Sequence, residues 1–73
     1  MTTGPQTPRE WLLYALQAYE IAVLSEKDNF VNLEKGLVVE IEPNGVFKLL
    51  SDGAVVAPFR DLEELCRFIQ MLP

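Results

Sequence analysis

The chain contains no histidine. That removes Ser-His-Asp and Cys-His catalysis, and with them the commonest metal ligand and general base. It contains one cysteine, Cys66, so no intrachain disulfide can form, which points to a reducing compartment. Its four glycines, Gly4, Gly36, Gly45 and Gly53, lie in the first residues or in turn-like sequence, and none belongs to a phosphate-cradling motif. Basic side chains are few and scattered: Arg9, Lys27, Lys35, Lys48, Arg60 and Arg67 include no adjacent pair, and the net charge is −5. A nucleic-acid backbone draws on clustered Lys and Arg, so direct nucleic-acid binding is not expected. Long apolar runs are missing as well. Residues 11 to 24 come nearest, but Gln17 and Glu20 interrupt them and the stretch is too short to span a bilayer. The opening MTTGPQTPRE has neither a basic n-region nor an apolar h-region, so it does not read as a secretory signal. A cytoplasmic protein without membrane contact is expected.

What is present is enough apolar sequence for one small domain. In 73 residues, 49% are apolar and there is no low-complexity run, so the body is expected to fold around a thin core. Residues 1 to 6 read as a flexible tail, and 7 to 73 as a single domain. TPRE at residues 7 to 10 is a helix start: Thr7 at the N-cap, Pro8 at the first helical position, Glu10 three after the cap. The helix is expected to run to about Leu24, with residues 25 to 29 as its frayed end and a loop. Residues 30 to 33, Phe-Val-Asn-Leu, fit a short strand or a helical turn equally well.

Residues 37 to 59 read as three strands. Pro43-Asn44-Gly45 suits a three-residue hairpin loop and Asp52-Gly53 a two-residue type I′ turn. These turns set a register that pairs Ile41 with Phe47, Glu40 with Lys48, Val39 with Leu49 and Val38 with Leu50. Across the second hairpin, Ser51 pairs with Ala54, Leu50 with Val55 and Leu49 with Val56. Pro58 suits an edge strand, since it cannot donate to a ladder. A second helix begins at the cap Asp61, and Leu62, Leu65, Cys66, Ile69 and Leu72 recur on one stripe. The expected fold is α+β: a helix, a three-stranded antiparallel meander and a C-terminal helix, both helices on one sheet face. Leu37, Val39, Ile41, Phe47, Leu49 and Val56 would then point into the core.

The functional signal lies in three apolar doublets, Val38-Val39, Leu49-Leu50 and Val55-Val56. In a strand, neighbours point to opposite faces. The doublets therefore build an apolar row of Val38, Leu50 and Val55 on the face that no helix covers, with Val46 and Ala57 placed to widen it. The first helix is apolar nearly all round: Leu13, Tyr14, Ile21 and Leu24 lie opposite the face of Trp11, Leu12, Ala15, Leu16, Ala18, Tyr19, Ala22 and Val23. Scattered surface apolars are ordinary, and residues 25 to 36 could fold over one surface with Phe30 and Leu33 as anchors. Two surplus surfaces on so short a chain favour a partner.

Other chemistry is weak. Cys66 on an apolar stripe reads as a buried, inert thiol rather than a nucleophile. Glu40 and Glu42 share one face of a strand, but on an open sheet they read as solubilising charges rather than an acid–base pair. Glu26 and Asp28 lack the glycine and ligand spacing of a calcium loop. Glu63-Glu64 is explained by capping and the helix dipole. No cofactor, metal or catalytic residue is assigned. The chain is expected to be a non-catalytic protein–protein interaction module, a homodimer or an accessory subunit, using Val38, Leu50, Val55, Val46, Leu13, Tyr14 and Ile21. The alternative is a small-ligand module with a pocket between the first helix and the sheet, lined by Trp11, Tyr19 and Phe47.

Overall fold

The computed structural model describes Gly4 and residues 6 to 72. The tail expected over residues 1 to 6 falls mostly outside them. Helix α1 spans Pro8–Ala18 and opens as a capping box: Glu10 N–H donates to Thr7 Oγ1 (3.1 Å) and Thr7 N–H to Glu10 Oε1 (3.2 Å). It stops six residues short of Leu24. The Ile21 N–H donates to the Leu16 carbonyl (2.8 Å) and the Glu20 N–H to the Gln17 carbonyl (3.0 Å), with Glu20 at φ +60. This is a Schellman stop with glutamate where glycine usually stands. From α2, the Gln70 side-chain amide donates to the Tyr19 carbonyl (2.8 Å), occupying another acceptor at this helix end.

The sheet has five antiparallel strands in the order β1-β2-β3-β4-β5, two more than expected. They are β1 (Val23–Lys27), β2 (Phe30–Leu33), β3 (Leu37–Ile41), β4 (Phe47–Ser51) and β5 (Ala54–Phe59). The residues read as the helix end and a loop are instead a hairpin, β1–β2, turning at Asp28-Asn29 with Asp28 at φ +55. It extends the sheet rather than lying over a surface. Lys35 and Gly36, at φ +64 and +74, make the next turn, and the Leu37 N–H closes it on the Glu34 carbonyl.

The β3–β4 register is the expected one, residue for residue. Its loop closes through Glu42 N–H to the Val46 carbonyl (2.9 Å), with Gly45 at φ +85. The Asp52-Gly53 turn also has both residues in the left-handed region, as a type I′ turn requires. Beyond it, β5 departs from expectation. Ser51–Ala54 and Leu50–Val55 pair as expected, but Leu49 pairs with Ala57 because Val56 is an extra, bulged residue. Val56 is therefore exposed rather than in the core, and Ala57 moves from the open face to the helix side.

Helix α2 (Leu62–Met71) follows its cap Asp61, whose side chain accepts from the Glu63 N–H (2.9 Å). Leu65, Cys66 and Ile69 of α2 and Leu12 and Leu16 of α1 join Val31, Leu33, Leu37, Val39, Phe47 and Leu49 in one buried cluster. Both helices thus cover one face of the sheet. No helix among the described residues is long and apolar enough to cross a membrane.

Candidate functional site

The uncovered sheet face is built from alternate residues of all five strands. One row runs Ser25, Asn32, Val38, Leu50, Val55 and the next runs Lys27, Phe30, Glu40, Lys48, Pro58. The first row is polar at the β1–β2 end, where the Asn32 amide donates to Ser25 Oγ (2.9 Å), and apolar across β3 to β5. Val38 and Leu50 are half-buried between their neighbours, and Val55 is 57% exposed. Phe30 adds an exposed ring in the second row. Reading the sheet as three strands missed Phe30 here, because its place depends on β2.

Beside the apolar row lies an ionic cluster. Lys48 Nζ stands 2.8 Å from Glu42 Oε2 and 3.9 Å from Glu40 Oε1. The bond to Glu42, then the charges of Glu42 and Glu40, raise the Lys48 pKa above its ordinary value against a smaller opposing effect of burial. The two carboxylates are therefore engaged with one cation. That arrangement fits a fixed polar border better than an acid–base pair.

The other expected contact residues divide. Val46 is only 8% exposed and does not widen the row. Leu13 is partly buried against the core, not on an outer helix face. Ile21 lies past the end of α1 and packs on the core as the Schellman hydrophobic residue. Tyr14 alone of the three is an exposed helix residue, at 59%, in edge-to-face contact with Trp11 at 6.3 Å between centroids. The outer face of α1 is thus an aromatic pair rather than an apolar stripe.

The pocket imagined between α1 and the sheet also divides. Trp11 and Phe47 line one shallow groove of about 660 Å³ with Pro8, Leu62 and Arg60. Tyr19 lines a separate recess of about 190 Å³ with Leu33, Leu37 and Leu72. Cys66 is fully buried, and burial pushes its thiol up to about 11. Among the described residues no group of three or more Cys, Asp or Glu is arranged to hold a metal ion.

Comparison of the chain with protein-family models, with curated proteins and with solved structures finds no match in any of the three. The functional reading therefore rests on the surfaces themselves.

Proposed function

We propose that this chain is a non-catalytic protein-contact module whose docking surface is the open sheet face. The observation that carries the reading is the apolar row Val38–Leu50–Val55, left uncovered while both helices pack on the other side. The edges of the sheet are poor alternatives. Leu24 is bulged out of β1 and Val56 out of β5, and Pro58 removes a donor from β5. Glu26 on β1 shares a row with core-facing Val31 and turns back to Arg9 of α1. Bulges, proline and an inward charge are the devices that keep edge strands from pairing. A blunted rim around an apolar face favours contact through the face. Covering about 400 Å² of apolar surface supplies on the order of 10 kcal/mol before the costs of association.

The test is the mass of the assembly that holds the protein, measured both purified and in its native extract. Wild type is expected above its own 8.3 kDa, and Leu50→Asp at that mass with unchanged circular dichroism. The same assembly mass for both variants sinks the reading.

A second reading keeps the groove beside Trp11 and Phe47 as a small-ligand site, supported by its volume and its one guanidinium, Arg60. A shift of Trp11 emission across a metabolite set would favour it, and silence across the set would remove it.

A further inference from the structure

The two helices run the same way. Pro8 of α1 and Leu62 of α2 both stand at the groove beside Trp11 and Phe47. At their other ends, the caps Tyr19 and Leu72 both line the recess of about 190 Å³. The Gln70 amide ties these ends together through the Tyr19 carbonyl (2.8 Å). A helix leaves about half a negative charge at its C-terminus, and parallel helices leave theirs side by side. A Lys or Arg in the last turn would offset this, and neither helix carries one there.

The side chains around the recess have the same sign. Glu20, just past α1, and Glu34, opening the turn into β3, line it together with one cation, Lys35. Asp52 stands next to that turn, its Oδ1 at 2.8 Å from where a Cβ on Gly36 would lie. Three anions thus surround one cation, and both helix ends add to the excess. Arg67, the only base on α2, is held by Glu63 (2.7 Å). Beneath this rim the wall is apolar: Leu33, Leu37 and Ile69 are buried, with Leu72 beside them. A cavity of about 150 Å³ is enough for benzene, so the recess admits a short hydrocarbon chain.

An apolar floor under a negative rim matches an apolar body with a positive head. An anion would be repelled by every charged element of the site except Lys35. A bare metal ion would leave the floor unused, and no three of these groups are arranged to hold one. We propose that the recess between the C-terminal ends of α1 and α2 binds a small alkylammonium ion. Its hydrocarbon lies against Leu33, Leu37 and Ile69, and its ammonium group lies at Glu20 and Glu34. The recess is on the helix side of the sheet, so its failure as a site would leave the open-face reading standing.

The experiment is titration of the isotope-labelled chain with n-butylammonium, followed by amide NMR. Butyrate, 1-butanol and ammonium chloride are run beside it at matched ionic strength. n-Butylammonium is expected to give saturable shifts at residues 19 to 22, 33 to 37 and 69 to 72. Its Kd is expected on the order of millimolar, as suits so small a probe. Butyrate is expected to bind about tenfold more weakly or less. Glu20→Gln and Glu34→Gln should each weaken n-butylammonium about two- to fivefold, and Lys35→Gln should tighten it by a similar factor. All three positions are exposed, so these variants are expected to fold. No saturable shift at these residues overturns the site. Equal binding of butyrate or 1-butanol overturns the selection of a cation. The same shifts with ammonium chloride reduce the site to counterion binding and overturn it as well. Affinity unchanged in all three variants overturns the placing of the ammonium group.

Discussion

Arg9 Nη1 of α1 lies 3.1 Å from Glu26 Oε1 of β1, linking the first helix to the edge strand that follows it. Both side chains are more than a third exposed, so the pair itself contributes little, about 0 to 1 kcal/mol. Its value is positional. Glu26 shares a row with core-facing Val31, so the strand at the sheet edge carries a charge on its inner side. Such a charge opposes pairing with another sheet. Arg9→Ala is expected to leave the urea midpoint almost unchanged. Glu26→Val is expected to raise aggregation on storage or mild heating without a comparable loss of stability. Turbidity and urea unfolding on the same samples separate the two effects.

That edge strand is also where sequence reading failed, for a physical reason. Trp11 to Leu24 keeps a helical spacing of apolar residues with no glycine or proline to break it. The break is made by Glu20 in a conformation that glycine usually supplies, and no residue type announces it. Once the helix continues on paper, Val23 and Leu24 are absorbed into it and β1 disappears. The Asp28-Asn29 turn offered a signal, since Asp and Asn tolerate left-handed backbone, but it is weaker than the Asn44-Gly45 and Asp52-Gly53 signals that placed β3 to β5. The bulge at Val56 was likewise silent, because a single extra residue leaves an apolar run looking continuous. The row Val38–Leu50–Val55 was legible because it depends only on the two turns with clear sequence signals. Leu13 and Ile21 were misplaced because their faces depended on the helix length.

Gly36 and Gly45 sit at similar positive φ, +74 and +85, but in different surroundings. A Cβ at Gly36 would meet Asp52 Oδ1 at 2.8 Å, while a Cβ at Gly45 meets open space. Gly45→Ala is expected to cost only the backbone term, about 1 kcal/mol. Gly36→Ala also pushes aside the end of the exposed Asp52 side chain, a cheap shift, and is expected to cost about the same. Thermal unfolding of the two variants checks both statements.

Cys66 makes stability depend on pH in a defined window. Its thiol is pushed up to about 11 by burial, against an ordinary value of 9.0. Between those values the folded state holds a proton that the unfolded state has lost, so stability is fully present below about pH 9 and falls as pH rises through 11. Cys66→Ala should flatten that limb of the curve, at the expense of a small cavity among Leu12, Leu65 and their neighbours. The same burial predicts that a thiol reagent at pH 8 labels Cys66 only at the rate of unfolding. Labelling as fast as a free peptide would mean that the α2 face opens readily.

Trp11 can decide between the two surfaces because it lies on only one of them. It is 49% exposed on α1, against Tyr14, while the apolar row is on the far side of the sheet. Contact through the sheet face leaves its surroundings unchanged. Its emission is therefore expected at a wavelength typical of a wet indole, and expected to stay there over the concentration range in which any assembly forms. Contact through the outer face of α1 would bury the ring and shift the emission to the blue over that same range. Tyr14→Ala would then weaken association and Leu50→Asp would not. The two surfaces thus predict opposite pairings of spectrum and mutant: a constant spectrum with association sensitive to residue 50, or a shifting spectrum with association sensitive to residue 14.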